Sequence, residues 1–136
     1  TLLNDVEYAV GKINALLAPR KLQTLDVQGY REKFCFPIRK YYDTLGFDFE
    51  KETFEKVAFE FVDSFMRDYR SCELFPESRP WLEHVKSSGR TQSILSATDQ
   101  ESLNQMMEHY GLLPFLDHVY GIGDKFAATK VHRGLE

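Results

Sequence analysis

The hydrophobic period of this chain changes near residues 72–76, and that change limits the folds open to it more than any other feature. Before it, apolar side chains recur at the spacing of a helix face. Val6, Ala9, Val10, Ile13, Leu16 and Leu17 predict a helix over 5–17, with Asn4 and Glu7 as its capping pair and Pro19 marking its end. A shorter helix is predicted over 38–45, between Pro37 and Gly46. The longest, 51–70, carries Phe54, Val57, Ala58, Phe61, Val62, Phe65, Met66 and Tyr69 on one stripe, which is expected to be core. This half reads as a small helical bundle.

After the change, helices and strands alternate. Pro80 opens a helix with Trp81, Leu82 and Val85, and Gly89 closes it. A strand is predicted over 92–97, then a helix over 99–110 with Leu103, Met106, Met107 and Tyr110 facing inward, then a strand over 118–121. That order is the signature of an α/β domain with a parallel sheet. The boundary is a change of period, not a flexible linker.

Composition excludes several classes. A formal net charge of −4 gives no general attraction to nucleic acid or anionic membrane. No apolar run approaches the roughly 20 residues of a membrane span, and the start has no signal-peptide pattern. Cys35 and Cys72 form no C-x-x-C pair and are expected to be buried, reduced fillers, which fits a cytoplasmic setting. The histidines (His84, His109, His118, His132) lack metal-ligand spacing, and no metal ligands are expected in the 136 residues. The chain starts at Thr1 without Met and ends inside an apparent helix, so a segment of a longer protein is expected.

The stretch SILSATDQES, 93–102, concentrates chemistry at one corner. Ligands of open parallel sheets collect beyond the carboxyl ends of the strands, where Ser96 is predicted to lie. Thr98 and Glu101 have the form of a capping box for the next helix. Helix N–H groups and the Ser96 hydroxyl would then face one spot suited to a phosphate. Taken alone, the corner needs nothing more than a capping Thr98 and a strand-ending Ser96.

TLLND at 1–5, YYDTLGFDF at 41–49, ILSAT at 94–98 and GDKFAATKVHRG at 123–134 together resemble the haloacid dehalogenase superfamily, most closely its phosphoglycolate-phosphatase-like members. The resemblance covers nearly the whole chain in family order. It implies an α/β fold: part of a Rossmann-like parallel-sheet core with an inserted helical-bundle cap. The expected layout is a core edge leading into the cap at 1–13, the cap at 14–72 and a partial core at 73–136. Thr1 and Leu2 look like the last residues of the first motif, Asp-x-Asp-Gly-Thr-Leu, whose aspartates would lie before residue 1. Ser96 matches the hydroxyl of the second motif and Lys130 the lysine of the third. The acidic pair of the fourth, which helps to bind magnesium, would lie after Glu136.

The implied activity is hydrolysis of a small phosphorylated metabolite through an aspartyl-phosphate, with Mg2+ as cofactor. Ser96, Lys130 and Thr1 would serve catalysis, and Ala97 and Thr98 would adjoin the substrate. Many family members carry Asn where this chain has Ala97, so only the Ala97 backbone N–H is expected to reach phosphate. Without the aspartates, the 136 residues alone are expected to lack phosphatase activity. The run YREKFCFPIRKYY, 30–42, interleaves basic and aromatic residues. In a cap, Phe34 and Arg39 would meet the substrate; the bland alternative is a half-buried helix with solvated cations. Neither nucleic acid nor membrane is an expected partner, and the residues do not set an oligomeric state. Two alternatives stay open: a related phosphomutase or a phosphonate hydrolase using Lys33 or Lys40, and a non-catalytic phosphate-binding domain.

Overall fold

A computed structural model describes residues 2–123, which fall into two units: residues 5–69, and residues 2–4 with 70–123. The first is all helical. In α1 (Val6–Leu17) the buried face is Ala9, Val10, Ile13, Leu16 and Leu17, with Ile13 and Leu17 fully enclosed. The predicted Asn4–Glu7 capping pair does not form. Asn4 belongs to a strand, and the helix starts from Asp5 without a side-chain cap. Pro19 falls in a 3-10 turn, Ala18–Arg20, that closes the helix.

Next comes α2 (Val27–Lys33), a helix that sequence periodicity does not predict. It buries no residue and holds Gly29 in its middle, so no apolar stripe announces it. Its start is fixed locally, by the Asp26 carboxylate accepting from the Gly29 N–H at 2.7 Å. The Asn14 side chain braces the approach, exchanging two hydrogen bonds with the Leu25 backbone at 2.7 and 2.8 Å.

The expected boundaries hold for α3 (Ile38–Leu45), which ends at Gly46 with φ of 89°, a conformation that favours glycine. The last helix, α4 (Phe54–Asp68), is shorter than the predicted 51–70 because Thr53 caps it, accepting from the Lys56 N–H. The first half of its stripe enters the core: Phe54, Val57 and Ala58 are buried with Tyr41, Tyr42, Leu45 and Phe47, and Phe61 packs against them, whereas Val62, Phe65 and Met66 are only half-buried. Arg20 ties this unit together, donating to Glu52, Glu60 and the Leu16 carbonyl.

Three tyrosines give the helical unit a pH signature. Burial holds the phenols of Tyr41 and Tyr42 well above the ordinary value of 10. Burial and then the negative charge of Asp5 push Tyr30 up to about 12. Unfolding returns each phenol to its ordinary value. From about pH 10 upward, the unfolded chain therefore releases protons that the folded unit retains, and stability falls. Alkaline titration should show these three ionising together with loss of helical circular dichroism. Ionisation near pH 10 with the helices intact would contradict their burial.

The second unit is α/β. Strands β1 (Leu3–Asn4) and β2 (Glu73–Leu74) pair antiparallel. Next, α5 (Ser78–Ser87) starts two residues before Pro80, the predicted opening, and its Ser78 hydroxyl donates to the Leu2 carbonyl at 2.9 Å. The decisive element is a parallel pair, β3 (Ser93–Asp99) and β4 (His118–Ile122), joined through α6 (Gln100–His109), which packs on both strands. Leu103, Met106 and Met107 are buried as expected, along with Leu112 and Ile122; Tyr110 is half-buried, its hydroxyl donating to the Cys72 carbonyl. Of the two cysteines, Cys72 is buried, whereas Cys35 in the helical unit is only half-buried. No helix among the described residues is long and apolar enough to cross a membrane.

Candidate active site

The corner after β3 is built by a local mismatch between the two parallel strands. Ser93, Ile94 and Leu95 pair in step with His118, Val119 and Tyr120. The next paired residues are Asp99 and Ile122, so Ser96, Ala97 and Thr98 together stand opposite the single residue Gly121. Three residues against one form a bulge, a device that bends a strand and re-aims its side chains. The sequence places Ser96 at the strand end. In the structure β3 runs on to Asp99, and Ser96 lies where regular pairing stops.

Gly121 is required at that point. A Cβ there would meet the Gln100 Cα at 2.7 Å, and the Gln100 N and Thr98 O at 2.8 Å. Gln100 then supplies by side chain what the interrupted ladder does not. Its Oε1 accepts from the Gly121 N–H at 2.8 Å, and its Nε2 donates to the Val119 carbonyl at 3.2 Å and to Asn104 Oδ1 at 3.0 Å.

The predicted Thr98–Glu101 capping box is absent. Asp99 is the N-cap of α6, its carboxylate accepting from the Ser102 N–H at 3.0 Å in a buried setting. The strand continues one residue further than the box requires, so Asp99 occupies the capping position, and a short carboxylate is among the best caps. Thr98 is thereby released to interact with Ser96. The Ser96 hydroxyl donates to Thr98 Oγ1 at 3.0 Å and accepts from the Thr98 N–H at 3.1 Å. Ser96, Ala97 and Thr98 are all half-buried.

Phe34 and Arg39 belong to the helical unit. Phe34 is exposed, within an aromatic cluster of Tyr30, Phe36 and Tyr41 at centroid distances of 5.1–5.4 Å. The exposed Arg39 guanidinium lies over the rings of Phe49 and Phe54, 5.4 and 5.8 Å from their centroids. Lys33 and Lys40 are exposed. Thr1 and Lys130 lie outside the described residues. Among the described residues, no group of three or more His, Cys, Asp or Glu side chains could hold a metal ion. The described residues therefore do not build the magnesium site that the resemblance implies.

Sequence reasoning passed over Gly121, Gln100 and Asp99. The first left a signal, an isolated glycine within a strand pattern, which marks a bulge or a close backbone approach.

The model of the haloacid dehalogenase-like hydrolase family matches residues 1–133. The chain belongs to that family. Solved structures agree on the fold. A haloacid dehalogenase-like family hydrolase from Streptococcus pneumoniae is 18% identical with a TM-score of 0.77, the match covering 99% of this chain and 64% of that one. A predicted phosphoglycolate phosphatase from Haemophilus somnus is 12% identical with a TM-score of 0.72, over 96% and 60% of the two chains. A predicted phosphatase from Clostridium acetobutylicum is 18% identical with a TM-score of 0.71, over 89% and 56%. The chain thus spans 56–64% of the length of these three solved structures. No curated protein matches it.

Proposed function

We propose that the intact protein is a phosphatase that hydrolyses a small phosphomonoester of the phosphoglycolate kind in a cytoplasmic setting. The observation that supports this reading is the bulge at Ser96–Thr98, where regular parallel pairing stops at the residue that the resemblance matches to the second-motif hydroxyl. In this reading an Asp just before Thr1 attacks phosphorus. The phosphorus–oxygen bond to the substrate alcohol breaks, and water then hydrolyses the aspartyl-phosphate. Phosphoryl transfer chiefly needs its equatorial oxygens positioned and neutralised. The Ser96 hydroxyl and the Ala97 N–H would donate to those oxygens, and the Lys130 ammonium would offset their charge. The helical unit would act as a cap, with Phe34 and Arg39 facing the rest of the substrate. Magnesium would be held by residues outside the described ones.

Ser96→Ala in the intact protein tests the reading. Loss of one neutral hydrogen bond to the transferring group should cost roughly 1–2 kcal/mol of transition-state stabilisation. Turnover of a panel of small phosphomonoesters measures it, with thermal unfolding as a check that the fold survives. Unchanged kcat/KM on every ester turned over would remove Ser96 from the site.

A further inference from the structure

We propose that Thr98 is a positioning residue for the Ser96 hydroxyl, a role that rests on the phosphatase reading of Ser96. Two observations converge. Asp99, and not Thr98, caps α6, so the Thr98 side chain has no capping task. Its Oγ1 instead lies 3.0 Å from Ser96 Oγ, while the Thr98 N–H donates to the same oxygen at 3.1 Å.

The geometry defines what must change when an oxyanion arrives. With Ser96 as the donor of that hydroxyl pair, its proton points at Thr98. To donate to an anion, that proton must turn outward, which leaves a lone pair of Ser96 Oγ facing Thr98. The Thr98 hydroxyl can reverse its own proton and fill that place, as a hydroxyl both donates and accepts. Ser96 Oγ then accepts from the Thr98 N–H and the Thr98 hydroxyl while donating to the anion. Accepting two hydrogen bonds polarises the Ser96 O–H and makes it a stronger donor. No bond to a heavy atom forms or breaks; two hydroxyl protons rotate.

Valine keeps the shape of threonine and loses the hydroxyl. In the intact protein, Thr98→Val should lower kcat/KM and weaken competitive inhibition by inorganic phosphate, each about three- to tenfold, the scale of one neutral hydrogen bond. Thr98→Ser should restore both. On a Ser96→Ala background, Thr98→Val should cost nothing further, because its target is gone. A Thr98→Val loss that persists at full size in Ser96→Ala would make Thr98 merely structural and overturn the proposal. So would wild-type behaviour of Thr98→Val beside an impaired Ser96→Ala, which leaves the phosphatase reading intact. If Ser96→Ala is itself as active as wild type, that reading of Ser96 has failed. Thr98→Ala serves the same comparison if the valine variant does not fold.

Discussion

Replacing Gly121 with alanine is expected to destabilise the α/β unit by about 3 kcal/mol, at the upper end of typical overpacking costs. The added Cβ would sit 2.7–2.8 Å from three backbone atoms, the Gln100 Cα and N and the Thr98 O. Backbone atoms cannot swing aside as the end of a long side chain can. Either β4 moves away from the corner, or the corner moves away from β4. The first breaks the Gly121 N–H bond to the Gln100 side chain, and the second displaces Ser96–Thr98. Since a misplacement of about 1 Å near reacting groups can cost on the order of 100-fold in rate, kcat/KM in the intact protein should fall on that scale. Denaturant unfolding and steady-state kinetics measure the two effects. Gly11→Ala provides the opposite sign. Its Cβ meets nothing within 4 Å on an exposed turn of α1, so stability should rise by about 0.5–1 kcal/mol. A Gly121→Ala protein as stable and as active as wild type would falsify the close approach of β4 to the corner.

Lys130→Ala is the second large effect. The lysine matches the third motif of the haloacid dehalogenase resemblance, and its role is part of the proposed function. Removing a full positive charge beside the transferring phosphoryl group should cost about 3–4 kcal/mol of transition-state stabilisation, the scale of one preorganised electrostatic donor. That exceeds the effect expected of Ser96→Ala, because a charge is lost and not a neutral hydrogen bond. Charge builds on the equatorial oxygens during transfer, so the loss should fall on kcat more than on KM. Kinetics of the intact protein, with unfolding curves for wild type and variant, separate catalysis from stability. Near-normal kcat in a folded Lys130→Ala protein would mean that this lysine does not meet the phosphoryl group.

The two periods in the sequence determined much of the architecture. Ile13, Leu16, Leu17, Val57 and Ala58 are buried because helical spacing puts them on one face, and that spacing is visible residue by residue. The parallel pair of β3 and β4 was legible for a similar reason, as two strand-like runs separated by one amphipathic helix. Residues 94–98 also carried enough family pattern to single out Ser96. The seven-residue α2 was not legible, because its start depends on an Asp26 cap and its faces carry no apolar stripe.

The details of the corner were decided by tertiary structure alone. Which of Thr98 and Asp99 caps α6 depends on where β3 stops, and β3 stops where its pairing with β4 allows. The bulge is a property of two strands, set by register between segments about 25 residues apart in sequence, and no local propensity encodes it. Gly121 and Gln100 matter because the fold brings β4 against the start of α6. Sequence supplied the residue types and their order. Only the pairing of β3 with β4 decided that the Ser96 hydroxyl would rest against Thr98 and that Gly121 would hold the place beside them.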